Sequence, residues 1–283
     1  MKKSAFSLLE LAVVILVISI ITAGIMKGGS IVNNSRLASA RSLTSNSNIG
    51  EIEGLVAWYE TTLPDSFEKS EVIDNEPLSK WHDVSSQASI SERKNSLSRT
   101  PDGGVIYRTN GINHIPSVQF TASGRFSLAS LFQGNSSRSS VFVVLSPTLD
   151  LSGVEMTFID SYLTGAVNSL VISDDFVRIN ADSTNEFAAS FVQSQNYVIG
   201  AYLNQNSSHV FVNNVESSGF DTSVDISGFS GLTVGANKSG SNSFTGLMSE
   251  VIVFDRVISE KERIMVMSYL AKKYKIRVSG ASY

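Results

Sequence analysis

Apolar positions along this chain come in two textures. The first is one unbroken run, "FSLLELAVVILVISIITAGIM" over residues 6–26, in which Glu10 is the only ionisable side chain. As a helix its 21 residues cover ~32 Å at ~1.5 Å each, against a hydrocarbon layer of ~30 Å, so the pattern predicts a transmembrane helix. Lys2 and Lys3 lie just before it, which orients the N-terminus to the cytoplasm and sends the rest of the chain outward. The second texture starts after Ile49. Short apolar or alternating runs recur there, among them "SVQF", "SVFVVLS", "MTFIDSYL", "SLVISD", "FVRINAD", "YVIGAYL", "HVFVNNV", "GLTVGAN" and "SEVIVF", separated by Ser/Asn/Gly/Asp clusters. Val, Ile, Phe and Tyr suit a pleated, half-buried surface, and many short strands punctuated by turn residues predict a sandwich or barrel. "YVIGAYLNQNSSHVFVNNV" reads as a hairpin with a polar loop, and no fixed-period repeat points to a solenoid or propeller.

Between the textures lies "KGGSIVNNSRLASARSLTSNSN", residues 27–48, polar with scattered apolar positions. Ala and Arg favour continued helix and the Ser/Asn patches do not, so the helix is expected to reach about Ser42 and give way to a linker. Gly28 and Gly29 weaken it on the way. A flexible stalk and an assembly hinge both fit this segment. At the other end, "SEVIVF" runs into "DRVISEKERIMVMSYLAKKYKI". Ser259 and Glu262 have the spacing of a capping box, and Met267, Leu270, Ala271 and Tyr274 share one helical face. Glu260 and Glu262 open this helix while Lys272 and Lys273 close it, as the macrodipole prefers. It is expected to pack its apolar stripe on the sandwich.

Composition narrows the function. With 283 residues, 42% hydrophobic and 17% charged, the chain can build a substantial core. Net charge is −4 and no Lys/Arg cluster follows the first three residues, so no nucleic-acid partner is expected. The absence of cysteine removes disulfides, thiol catalysis and thiolate-held metals together.

Three readings fit the first segment. A removable secretory signal calls for a shorter, uncharged apolar core and a small-residue cleavage site, which Thr22 and Ala23 meet only loosely. A plain membrane anchor accounts for the length and the lysines and leaves Glu10 without a purpose. The third is a resemblance: "KKSAFSLLELAVVILVISIITAGI" is similar to the N-terminus of type IV prepilins and of the pseudopilins of type II secretion. That resemblance implies a leader of residues 1–5, cleavage between Ala5 and Phe6 by a prepilin peptidase/methylase, and N-methylation of Phe6. Ala5 stands where the family usually has glycine. Removing Lys2 and Lys3 takes the net charge from −4 to −6. Glu10 then falls fifth in the processed chain. In a filament core it meets the Phe6 amine of a neighbouring subunit, a pairing that sets helix register more than it adds stability. The partners so implied are other pilin or pseudopilin subunits and the inner membrane. The location so implied is single-pass in that membrane with the C-terminal domain periplasmic, or at the cell surface when assembled.

A second resemblance covers residues 52–276. "GLVAWYE", "LSKWHDVSS", "GINHIPSVQFTASGRFSL", "SVFVVLSP", "VFVNNVESSG" and "FTGLMSEVIVFDRVISEKERIMVMSYLAKKY" together resemble the concanavalin A-like lectin/glucanase superfamily, in its laminin-G-like branch. "DVSSQAS" departs from the family's usual turn. The fold class expected is therefore mainly β. A transmembrane, pilin-like helix (6–26) and a helix extension with linker (27–48) lead into an antiparallel jelly-roll sandwich (49–278). A C-terminal helix packs on that sandwich, and a short tail (279–283) follows.

Chemistry is sparse. Glucanases of this superfamily set three carboxylates on alternate residues of one strand, so that two flank a glycosidic bond. Glu51 and Glu53 have the first spacing, but the third position is Leu55. Glu250 and Asp255 face opposite ways in a strand, as do adjacent Asp174 and Asp175. His82, His114 and His209 lack metal-ligand spacing, and "GANKSGSN" reads as a polar turn rather than a phosphate loop. The expectation is a protein that is not an enzyme and carries no catalytic residues, no metal site and no cofactor. The resemblance does allow a structural calcium held by loop carboxylates such as Asp160. Trp58 and Trp81 are expected in the core rather than as sugar platforms. A glycan or a host or envelope protein remains a candidate partner, with its binding residues unknown. The expected role is a minor or tip pilin-like subunit displaying a lectin-like domain, with a surface-anchored or pilus-borne adhesin as the alternative.

Overall fold

The computed structural model describes residues 8–85, 95–100, 104–121, 123–131, 138–148, 154–161, 169–173, 176–180, 195–205, 207–216 and 229–280, with backbone alone at 23–27 and 30. Helix α1 (Leu8–Ser45) leads through a short 3₁₀ turn (Asn48–Glu51) into strand β1 (Leu55–Glu60). There follow β2 (Lys80–Trp81), β3 (Leu97–Arg99), β4 (Val105–Arg108), β5 (Ser117–Phe120), β6 (Phe126–Leu128) and β7 (Ser139–Pro147). Next come β8 (Glu155–Asp160), β9 (Ser169–Ser173), β10 (Phe176–Asn180), β11 (Tyr197–Leu203), β12 (His209–Val212) and β13 (Val215–Glu216). The series closes with β14 (Leu232–Val234), β15 (Gly246–Phe254) and helix α2 (Glu260–Tyr274).

The strands form two antiparallel sheets. One runs β13-β12-β11-β7-β15-β5-β4, and β1 continues the edge of β15 where β5 leaves it. The other runs β10-β9-β8-β14-β6-β3-β2. Inward side chains of both, among them Tyr59, Trp81, Phe120, Phe126, Val143, Phe158 and Val253, make one core. A second core lies on the far side of the first sheet, where Trp58, Phe142, Ile252 and Phe254 meet Met267, Leu270, Ala271 and Tyr274 of α2. Buried on both faces, β7 and β15 need apolar residues at nearly every position, so "SVFVVLS" and "SEVIVF" read as continuous runs rather than alternations. Helix α2 comes so close to β11 that a Cβ on Gly200 meets Met267 Cε at 2.8 Å and Phe142 Cε1 at 2.9 Å. The capping box is present, with Ser259 and Glu262 satisfying each other's backbone N–H.

The β part of the expected fold class therefore stands: a sandwich with the C-terminal helix on its outer face. The transmembrane helix does not. Among the described residues no helix is long and apolar enough to cross a membrane. Helix α1 runs over 38 residues, Leu8–Ser45, and its described residues do not meet that requirement. The helix also passes through Gly28 and Gly29 and ends at Ser45, with no long linker before the 3₁₀ turn.

Candidate functional site

The most chemically loaded place in the described molecule is the seat of the helices on the sandwich. Strands β1 and β15 pair so that Glu60 lies directly across from Glu250. Like charges set opposite each other on a ladder repel, and both side chains are 0% exposed. A register shift between Met248 and Glu250 bends β15 just before this pair. Lys273, in the last turn of α2 and also 0% exposed, resolves the conflict. Its Nζ lies 2.9 Å from Glu60 Oε2 and 2.7 Å from Glu250 Oε2. A cation also suits the C-terminal end of the helix.

The two acids have different surroundings. Glu60 accepts hydrogen bonds from the backbone N–H and hydroxyl of Thr62 (2.8 and 2.6 Å), the Leu63 N–H (2.5 Å) and the Ser66 hydroxyl (2.5 Å). Burial pushes its carboxyl up, but Lys273 and these donors outweigh burial and hold it below the usual carboxylate range. Glu250 Oε1 accepts from Trp58 Nε1 (2.6 Å) and the Tyr269 hydroxyl (2.8 Å), and Oε2 from the Tyr274 hydroxyl (2.8 Å). Here burial prevails over Lys273, helped by the charge of Glu60, and the carboxyl is raised. For Lys273 itself, burial lowers the ammonium, yet the two acids outweigh it and the group stays above its ordinary value.

The network also reaches α1. Ala40 and Thr44 are 1% and 4% exposed. Thr44 Oγ1 lies 3.1 Å from the Tyr269 hydroxyl, and Arg41 Nε donates to the Thr62 carbonyl at 2.6 Å. The loop holding Glu60 and the helix carrying Lys273 thus each hold the lower end of α1. Three wholly buried ionisable groups favour one docking geometry, because any displacement leaves a charge unpaired in an apolar interface. All three lie out of contact with solvent, where they position α2 on the sheet.

A second feature is open to solvent. Beside the N-terminal end of α2, a groove of about 370 Å³ is lined by Tyr202, His209, Phe211, Glu216, Glu260 and Arg263, among others. Arg263 lies 4.2 Å above the Phe211 ring, and His209 Nδ1 is 2.6 Å from Glu216 Oε1. Burial pushes the Tyr202 phenol up to about 12, with Arg263 pulling the other way.

The residues singled out in the sequence fall as follows. Ala5, Phe6, Asp174 and Asp175 lie outside the described residues. Glu10 sits exposed in the first turn of α1. Trp58 and Trp81 are 6% and 0% exposed, both in cores. Trp81 donates to the Glu60 carbonyl at 2.8 Å, and the next residue but one, Asp83, accepts from the Trp58 N–H at 2.9 Å. The "WHD" motif therefore anchors β1. Asp160 accepts from the Lys238 N–H at 2.8 Å, and the segment around Asn237 closes as a polar turn. Among the described residues no three His, Cys, Asp or Glu side chains cluster as metal ligands. Glu60 was not singled out in the sequence, and Lys273 only as a cation closing the C-terminal helix. The available signal was that Lys273 follows Val266 and Leu270 at i+7 and i+3, on the buried stripe of α2 rather than its charged face.

No family model matches the chain, and no curated protein does. Solved structures do resemble it. Trypanosoma rangeli sialidase in complex with the inhibitor DANA matches with a TM-score of 0.51 at 14% identity, over 78% of this chain and 33% of the sialidase chain. Domain 4 of AbnA, a GH43 extracellular arabinanase from Geobacillus stearothermophilus in complex with arabinotriose, matches with a TM-score of 0.51 at 14% identity, over 74% of this chain and 95% of the domain. The binding domain of Paraclostridial Mosquitocidal Protein 1 matches with a TM-score of 0.50 at 12% identity, over 78% and 53%. This chain spans about a third of the sialidases it resembles. At such identities the likeness is one of β-sandwich fold alone.

Proposed function

We propose that this chain is a minor or tip subunit of a pilin-like filament, in a type IV pilus or a type II secretion pseudopilus. Helix α1 packs against the α1 helices of other subunits while the sandwich stands outside as a recognition head. One observation carries the reading. Within a single helix, Leu8, Ile15 and Ile20 are 88%, 56% and 64% exposed, whereas Ala40 is 1% exposed and seated on the head. Leu and Ile left bare in a row call for a cover, and copies of the same helix supply one of matching length and chemistry. Cleavage between Ala5 and Phe6 frees an amine that pairs with Glu10 of a neighbour and sets the stagger of the stack. Mass spectrometry of the protein from its native cell tests this: the expected N-terminus is a methylated Phe6, and a retained Met1 removes the reading. Glu10→Val is expected to leave the head folded and to abolish incorporation into filaments.

The reading includes no catalysis. The alternate-residue carboxylate triplet is missing, and Glu60 and Glu250 face each other out of reach of any substrate. The groove beside Arg263 supports a second reading, adhesion through a glycan. It joins an aromatic face, a guanidinium and carboxylates in an open concavity, and the arabinanase domain carries arabinotriose in its structure. Titration of the full chain with arabino-oligosaccharides and with a broad glycan array tests it. Binding lost in Phe211→Ala supports the groove, and silence throughout leaves assembly as the role.

A further inference from the structure

We propose that Lys273 and Glu250 condense within the folded chain to an amide that joins α2 to β15, with Glu60 moving the protons. The inference is independent of what the head recognises. The amine is within hydrogen-bond distance of both acids, at 2.7 and 2.9 Å, and all three side chains are sealed from water. Holding amine and carboxyl in contact turns a bimolecular condensation into a unimolecular one, and a dry site neither screens the groups nor returns water to the product.

The surroundings assign the roles. Glu250 Oε1 faces two donors, Trp58 Nε1–H and the Tyr269 hydroxyl, placed where negative charge develops when its carbonyl carbon is attacked. Its Oε2 faces the Lys273 amine and the Tyr274 hydroxyl, and is the oxygen that leaves. Glu60, held by two backbone N–H groups and two hydroxyls, is arranged to stay a carboxylate and act as the base. The opposite displacement of the two carboxyls, Glu60 lowered and Glu250 raised, agrees with that division.

The step balances with no outside reagent. It starts from a Glu250 carboxylic acid, a Lys273 ammonium and a Glu60 carboxylate, a neutral set. Glu60 takes one proton from the ammonium. The freed nitrogen lone pair attacks Cδ of Glu250, and Oε1 becomes the oxyanion held by Trp58 and Tyr269. Glu60 passes its proton to the Oε2 hydroxyl, the Cδ–Oε2 bond breaks and one water leaves. Glu60 then takes the surplus proton from nitrogen and ends as a neutral acid beside an amide N–H. A buried ammonium and a buried carboxylate, both costly to hold charged, are replaced by uncharged groups.

The test is peptide mapping and intact mass of the full chain, purified folded and then denatured. The expected result is a mass lower by one water and a branched peptide joining the Glu250 and Lys273 segments. Lys273→Arg keeps the charge but lacks the nucleophile, and is expected to restore the full mass. Glu60→Gln is expected to reduce the branched peptide strongly while leaving the same fold by circular dichroism. Wild-type protein that digests only to separate, unmodified peptides overturns the proposal, whether or not the variants fold. A branch on Glu60 in place of Glu250 overturns the assignment of roles.

Discussion

Helix α1 has two ends that obey opposite rules. Its first turns present Leu and Ile to solvent, while its last turns bury Ala40 and Thr44 against a network of ionisable and aromatic side chains. The early part is apolar where none of the described residues covers it, and the late part is polar where it is covered. This inversion separates a surface left exposed from one that the chain completes for itself. The seat is fixed internally, by groups that tolerate only one geometry, and the exposed end is the surface proposed above to meet other subunits.

The largest expected break in that contrast is Lys273→Ala. It leaves Glu60 and Glu250 buried face to face and should cost ~3–5 kcal/mol in chemical denaturation. Amide exchange should then rise at Thr44 and its neighbours, because Tyr269 loses its contact with Lys273 and bonds to an acid whose counter-charge is gone; unchanged protection there would separate the network from the helix seat. Gly200→Ala comes next. Its methyl meets Met267 and Phe142 below van der Waals distance, and the overpacking should cost ~1–3 kcal/mol, read in the same denaturation experiment. Thr44→Val removes the hydrogen bond to Tyr269 and should cost ~1 kcal/mol, with faster exchange confined to the lower end of α1.

A smaller effect concerns pH. The Arg256 guanidinium, bonded to Glu262 at 2.6 Å, and the Ser259 cap hold the Glu262 carboxyl at about 2, from an ordinary value near 4.5. A lowered carboxyl contributes stability that is present above its unfolded-state value and is lost as pH falls through the folded one. The cap of α2 should therefore loosen between about pH 4.5 and 2, and Glu262→Gln should flatten that part of the stability profile. The smallest effect should come from the free end. Ile15→Asp touches no buried contact and should change head stability by less than ~0.5 kcal/mol, yet it should stop co-assembly in a sedimentation assay. Normal assembly by that variant would remove the reason for treating the two ends as different.

Much of this fold was legible from residue order because the signals are local. The strand runs from "SVQF" to "SEVIVF" each became a strand, and the 197–212 segment became the expected hairpin of β11 and β12. Ser259 and Glu262 formed their cap, and Met267, Leu270, Ala271 and Tyr274 all turned inward. Membrane crossing, expected from length and hydropathy, is not supported: among the described residues no helix is long and apolar enough. The central site was illegible for a different reason. Glu60 and Glu250 look like ordinary strand acids, and Lys273 like a lysine closing a helix, until the sheet brings the first two into register and the helix lowers the third between them.

Residue order alone thus determined the strands, the capped C-terminal helix and the stripe by which it docks, since capping, periodicity and turn chemistry act over a few neighbouring residues. Only the tertiary structure decided which charges would share a dry space and which end of α1 would be seated. Those outcomes depend on pairings between segments far apart in the chain, and burial, which sets what a charge costs, exists only once the segments have met.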